Sequence, residues 1–262
     1  MQNINFWQLE KLDSQKRQSL LARTESDLSA YQAQIIPIIE RVKAEGDLAL
    51  IGYAQQFDGA SLTCDQIKVT EQEFIDAESK VDDATRDAIR YASENIRQYH
   101  EAQKPAEMAM QEVRSGSYVG EKYLAIPSVA CYVPRGKGSF PSVLMMNAIP
   151  AIVAGVDKVI VLTPPGPDGR VEAATLVAAR VNGITQVYKC GGAQAVAAVA
   201  FGTQVIPKCS KIVGPGSPWM VAAKQQLNHL IDPGIPAGPS ESIVFADDTV
   251  AGAFAALDLL IE

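Results

Sequence analysis

Apolar positions in residues 1–110 recur at the three-and-four spacing of helices that bury one stripe. Ile35, Ile38, Ile39 and Val42 share a face, and Gly46-Asp47 supplies a helix stop followed by a new N-cap. Leu48, Ile51 and Tyr53 carry a second helix that ends near Phe57-Asp58-Gly59. Thr70 and Glu73 match a capping box, in which hydroxyl and carboxylate satisfy free N–H groups at a helix start. Ile89, Ala92, Ile96 and Tyr99 mark a longer amphipathic helix that stops before Pro105.

From Gly116 the pattern changes to short strands, Ser117–Val119, Glu121–Ala125 and Ser128–Val133, broken by Gly120 and Pro127. Beyond Pro134 a loop, 135–139, leads to an apolar helix over Ser142–Ala154. Strand, helix and strand follow at Lys158–Leu162, Val171–Val181 and Ile184–Lys189, with Gly183 ending the middle helix. Gly191-Gly192 turns the chain into a small-residue helix, Ala193–Ala200, and Lys211–Val213 is a further strand leading to Gly214-Pro215-Gly216. A helix over Pro218–Leu230, a Pro/Gly-rich loop, a strand over Ser242–Ala246 and a last helix from Thr249 complete the pattern. This alternation predicts an α/β fold, a mostly parallel sheet with right-handed crossovers and helices on both faces. The expected division is a helical region over 1–125, a Rossmann-like nucleotide-binding domain over 126–241, and a return segment over 242–262. Phe254, Leu257, Leu259, Leu260 and Ile261 leave the last helix apolar nearly all round without a stop signal, the pattern of a helix cut midway.

Composition narrows the function classes. The 262 residues are 47% hydrophobic and 20% charged, ordinary for a soluble domain, and the net charge of −7 with no basic cluster argues against a nucleic-acid surface. Cys64, Cys131, Cys190 and Cys209 are scattered without a C-x-x-C, as free thiols in a reducing compartment would be. No basic-then-apolar leader opens the chain and no apolar run approaches the ~20 residues of a membrane span. The expectation is a cytoplasmic protein without a membrane partner.

Candidate chemistry collects where strands give way to helices, since unpaired N–H groups and helix dipoles point there. Tyr132, Gln194 and Ser217 lie just past three predicted strand ends, and on a parallel sheet they converge on one crevice. Taken singly, Tyr132 reads better as a strand-end core residue. Gln194 is the odd polar residue of an Ala/Val helix, and a buried amide needs a partner. Lys137 reads first as a solvated loop lysine and second as an anion ligand. Ser240, in Pro236–Glu241, can present a hydroxyl at the crevice edge. Only His100 and His229 are present; one closes a helix and the other has a surface pattern, so neither a Ser-His-Asp set nor an H-E-x-x-H zinc site is available.

Five motifs in order carry a resemblance: Tyr132-Val-Pro, then FPSVLMMNAIPAIVAGV (140–156), GGAQAVAAVAFGT (191–203), GPG (214–216) and PAGPSE (236–241). With RVKAEGDLALIGYAQQFDG (41–59) and NIRQYHEAQ (95–103), the chain resembles the N-terminal part of histidinol dehydrogenases over essentially its whole length. The resemblance implies a homodimeric, zinc-dependent enzyme that oxidises L-histidinol through histidinal to L-histidine with two NAD. It also implies Rossmann-like domains similar to those of aldehyde dehydrogenases. By the same matching, Tyr132, Gln194 and Ser217 contact NAD and Ser240 contacts substrate. Glu262 falls where the family has a zinc-ligating Gln beside the substrate. The catalytic Glu-His pair and the other zinc ligands fall beyond the matched positions, so the chain alone is expected to be inactive.

Three departures stand out: Arg135 for a family Gly, Ser217 for the usual Asn, and Glu262 for Gln. They keep open a relative acting on another small polar alcohol, such as a sulfonated diol. A rival from a different class is a non-catalytic nucleotide-binding or dimer-forming fragment.

Overall fold

The computed structural model of the protein describes residues 7–21, 28–136, 139–235 and 242–260. It divides into two compact units, Ser29–Gly238 and a smaller one drawn from Met1–Leu28 and Pro239–Glu262. In the smaller unit, α1 (Ser14–Leu21) starts where Asp13 accepts a hydrogen bond from the Lys16 N–H at 2.7 Å.

The larger unit opens with α2 (Ser29–Glu45), whose Ile35, Ile39 and Val42 are buried as the apolar stripe requires. Gly46, at φ +57°, lets the chain start α3 (Asp47–Tyr53) at once. That helix widens into a π-turn over Ala54–Asp58, closed by Gly59 at φ +69°. Such a turn was not legible in the residue pattern. Thr70 and Glu73 form the expected box on α4 (Glu71–Lys80): Thr70 N–H donates to Glu73 Oε2 at 2.9 Å and Glu73 N–H to Thr70 Oγ1 at 3.3 Å. Asp82 caps α5 (Asp83–Gln103) by accepting from the Thr85 N–H at 2.8 Å.

An antiparallel hairpin follows, β1 (Met108–Arg114) with β2 (Ser117–Lys122), exposed along both strands. The sequence placed its start at Gly116 and a break at Gly120. Instead Gly120 sits in mid-strand opposite Met110, where a Cβ would overlap the Ala109 carbonyl oxygen. A ribbon with neither face buried shows no in–out alternation, so the residue pattern does not mark its first strand.

The remaining elements run β3 (Ser128–Tyr132), α6 (Pro141–Val153), β4 (Lys158–Thr163), α7 (Ala173–Val181), β5 (Val187–Lys189), α8 (Gly192–Phe201), β6 (Lys211–Val213) and α9 (Pro218–Gln226). The four strands pair in parallel in the order β5-β4-β3-β6. From β3 the chain steps outward twice, then α8 carries it back across to the other side of β3. The topology therefore reverses between β3 and β6, and ligands of open α/β sheets sit at the strand carboxyl ends beside such a reversal.

Val129, Cys131, Val133, Val161 and Val187 form a core with residues of α4, α5, α6 and α7, among them Phe74, Ile89, Leu144, Ile149 and Leu176. Helix α2 packs with α8 and α9 as a separate group. Helices α2 to α5 thus belong to one compact unit with the sheet. Burying a side chain such as Leu144 or Ile149 stabilises the unit by about 1.5–3 kcal/mol each.

Helix α10 (Gly252–Leu260), in the smaller unit, follows a segment at 242–247 that forms no strand, contrary to expectation. Ile243 and Phe245 are exposed there, Phe245 at 99%, so the apolar run has no sheet face to bury. No helix among the described residues is long and apolar enough to cross a membrane.

Candidate functional site at the strand carboxyl ends

Tyr132 closes β3 and is 5% exposed. Its phenolic oxygen accepts a hydrogen bond from the Gly192 N–H at 3.2 Å, tying the end of β3 to the first residue of α8. Burial pushes the phenol up to about 12, with the Gly192 N–H pulling the other way, so the group stays protonated at neutral pH. A neutral phenol that already accepts one bond still has its own proton to donate.

The turn before α8 is built for close approach. Gly192 takes φ +61°, and a Cβ on Gly191 would stand 2.5 Å from Pro164 Cγ at the exit of β4. Gln194, in the first turn of α8, is 4% exposed, with its Oε1 2.8 Å from where a Cβ on Gly192 would stand.

The turn after β6 lies on the other side of Tyr132. Gly214 takes φ +111°, and a Cβ there would overlap the Tyr132 carbonyl oxygen. Lys224, buried on α9, donates from Nζ to the Gly214 carbonyl at 2.9 Å, and burial brings its ammonium down to about 8. Ser217 is exposed at the N-cap of α9 without bonding the helix N–H groups, so both its hydroxyl and those donors remain open. Tyr132 thus touches the turn before α8 and the turn after β6. No side-chain cap occupies either helix start, an arrangement suited to an anion or to polar ligand oxygens.

Two acids that the sequence reading did not single out stand here. Asp58, at the end of the π-turn, is pushed up to about 6 by burial, against the opposing pull of Arg135. Its charge in turn raises Tyr132 and Cys190. Glu172 is the N-cap of α7 and lines a cleft of about 160 Å³ with Arg135, Ser139, Phe140, Thr163 and Thr175. The π-turn has no sequence signature, and one acid ahead of a helix reads simply as a cap. A larger hollow of about 610 Å³ touches Val129 and Lys211, at the amino ends of β3 and β6, the wrong end of the sheet for this chemistry.

Ser240, Glu262 and Lys137 lie outside the described residues. His229 is exposed, and His100 lies edge-on to Tyr99 in the last turn of α5. Cys131, Cys190 and Cys209 are buried, and burial raises each thiol, Cys131 to about 12 and Cys209 to about 11. Such thiols are inert as nucleophiles. Among the described residues no three His, Cys, Asp or Glu side chains come together to hold a metal ion.

The histidinol dehydrogenase family profile matches residues 21–262. A protein of Mesorhizobium japonicum called "Histidinol dehydrogenase homolog 2" is 54% identical over 262 residues, which is 100% of this chain and 60% of that protein. The histidinol dehydrogenase of Synechocystis sp. is 46% identical over 254 residues, 97% of this chain and 58% of that one. The crystal structure of histidinol dehydrogenase from Elizabethkingia anophelis superposes with a TM-score of 0.84 at 38% identity, covering 88% of this chain and 53% of that structure's. The chain thus spans about 60% of the length of these curated relatives, and it belongs to the histidinol dehydrogenase family.

Proposed function

We propose that the larger unit is the nucleotide-binding part of an enzyme that oxidises L-histidinol through histidinal to L-histidine with NAD. One observation carries the reading: the hydrogen bond from Gly192 N–H to Tyr132 Oη, which joins two motif residues at the ligand-binding end of the sheet. The residues present fit a dinucleotide. Two helix N-termini without side-chain caps present free N–H groups, and Gly191, Gly192 and Gly214 let the turns beside them close tightly on Pro164, Gln194 and Tyr132. NAD, when bound, supplies the hydride acceptor. The chain's own part is to bind and orient: Ser217 and the helix N–H groups offer donors, and Tyr132 fixes the turn while keeping its proton.

Zinc is a different matter. Glu262 is the position in this chain matched to a zinc ligand, and the described residues bring no further set together. Zinc binding is therefore proposed only from the family, and no step is derived through it. The homodimer, the cytoplasmic location and the likeness to aldehyde dehydrogenase domains belong to the same proposal.

None of the matched positions carries a proton-transfer group, so the 262-residue chain should bind NAD without oxidising histidinol. Calorimetric titration of the chain with NAD, followed by NADH formation with histidinol and zinc, tests both halves. Absence of NAD binding overturns the nucleotide reading, and steady NADH production overturns the claim that the chain lacks the catalytic groups.

A second reading, another small polar alcohol such as a sulfonated diol, draws on Arg135. Its guanidinium stands exposed at the carboxyl end of β3, and histidinol carries no anion for it to meet. The Mesorhizobium relative is also called a homolog rather than the enzyme itself. Turnover of histidinol against sulfonated diols by a protein extended to the relatives' length decides between them.

A further inference from the structure

The carboxylate of Glu172 is held in place by more than a helix cap requires. Its Oε2 accepts from Ser139 Oγ at 2.7 Å, Thr175 N at 3.0 Å and Thr175 Oγ1 at 3.2 Å. The donors come from two separate elements, the segment entering α6 and the first turn of α7. Oε1 accepts nothing among the described residues, and Glu172 lines the cleft of about 160 Å³ between the β3–α6 and β4–α7 connections. A fixed carboxylate with one open oxygen repels phosphate and attracts hydroxyl donors.

The same cleft carries the opposite charge. Arg135 lines it, with Nη2 3.5 Å from where a Cβ on Gly166 would stand, so the guanidinium lies over the β4–α7 loop. The ring of Phe140 supplies an apolar face. Whole small-molecule sites run roughly 300–1,000 Å³, so this cleft takes only part of a ligand. Hydroxyls beside phosphates, with an aromatic base near them, describe a nucleotide ribose.

Topology points the same way. Counting outward from β3, β4 is the second strand of a 3-2-1-4 sheet, and in such sheets an acid beyond the second strand accepts from the ribose 2′-hydroxyl. Glu172 reaches that place from the N-cap of the following helix rather than from the strand end.

We propose that this cleft is a ribose subsite, with Glu172 Oε1 accepting from the vicinal diol and Arg135 facing the neighbouring phosphate. The subsite makes the chain select NAD over NADP, because a 2′-phosphate would meet the Glu172 carboxylate. The proposal rests on the nucleotide reading above and names the residue that sets its cofactor preference.

Affinities of the 262-residue chain for NAD, NADP, AMP and 2′-deoxy-AMP test it. The wild-type chain should favour NAD over NADP and AMP over 2′-deoxy-AMP, each by about tenfold or more, as expected for a hydrogen bond to a charged group. Glu172→Ser keeps a residue able to cap α7 and should bring both ratios near one, with NADP binding gained rather than lost. Glu172→Gln should relax the NADP penalty more than the deoxy penalty, since it keeps an acceptor. A residue that only caps the helix would lower stability and leave both ratios where they were. That result, or equal wild-type affinity for AMP and 2′-deoxy-AMP, overturns the subsite even if neither variant folds. Failure of every ligand to bind overturns the nucleotide reading with it; NAD binding with unmoved ratios overturns the subsite alone.

Discussion

Replacing Gly214 by alanine separates two contributions that the turn after β6 combines. At φ +111° an L side chain is strained, by about 1–3 kcal/mol. The added Cβ would also overlap the carbonyl oxygen of Tyr132, whose strand is pinned by β4 on one side and β6 on the other. Backbone held on both sides cannot retreat, so the overlap adds to the strain. The lower entropy of the unfolded alanine chain offsets about 0.4–1 kcal/mol. The net cost expected for Gly214→Ala is about 3 kcal/mol, near the upper end for one substitution. Gly183 is the control: φ +74° in the same unit, with nothing within 4 Å of its virtual Cβ. Gly183→Ala isolates the backbone strain and should cost about 1 kcal/mol. Urea unfolding at fixed pH, with the slope against urea unchanged, measures both. If Gly214→Ala costs no more than Gly183→Ala, the turn is not wedged against Tyr132 and the description of the site is wrong.

Tyr132→Phe strips the acceptor from the Gly192 N–H; it should lose about 1 kcal/mol in urea unfolding and bind NAD several-fold more weakly. Wild-type NAD affinity in that variant would show that the link does not shape the site. Asp58 has its folded value raised from 3.8 to about 6, so its contribution is lost as pH rises through that interval and the carboxylate is unfavourable above it. Asp58→Asn should therefore stabilise the protein by roughly 1 kcal/mol at pH 8, after allowance for solvent screening, and change little at pH 4; equal effects at both pH values contradict the assignment. Leu144→Ala, at a fully buried position under the sheet, should cost about 2–5 kcal/mol, and a loss under 1 kcal/mol would show that the core described is not the one formed.

Elements that bury one face were legible because burial imposes a period. The stripe of α2, the Thr70–Glu73 box, and β4, α6 and α8 fall within a few residues of expectation. The hairpin exposes both faces, so nothing forced its residues to alternate, and Gly120 read as a break although it sits in register. Ser242–Ala246 is a short apolar run rich in β-forming residues, yet among the described residues it has no strand to pair with. Pairing is a property of the neighbour, which local pattern does not contain. Tyr132, Gln194 and Ser217 could be found because they follow strand ends and match ordered motifs. Asp58 and Glu172 could not. The first depends on a π-turn, and the second on a carboxylate shared between segments far apart in sequence.

Backbone amide shifts of the ¹⁵N-labelled 262-residue chain during titration with NAD test the central claim most directly, that a nucleotide binds where β3, β5 and β6 end. The account predicts saturable shifts concentrated at 191–194, 214–217 and around Tyr132, with those at Arg135 and Glu172 reporting the ribose. Shifts confined to the hairpin or to the amino ends of the strands, or none at millimolar NAD, would contradict it.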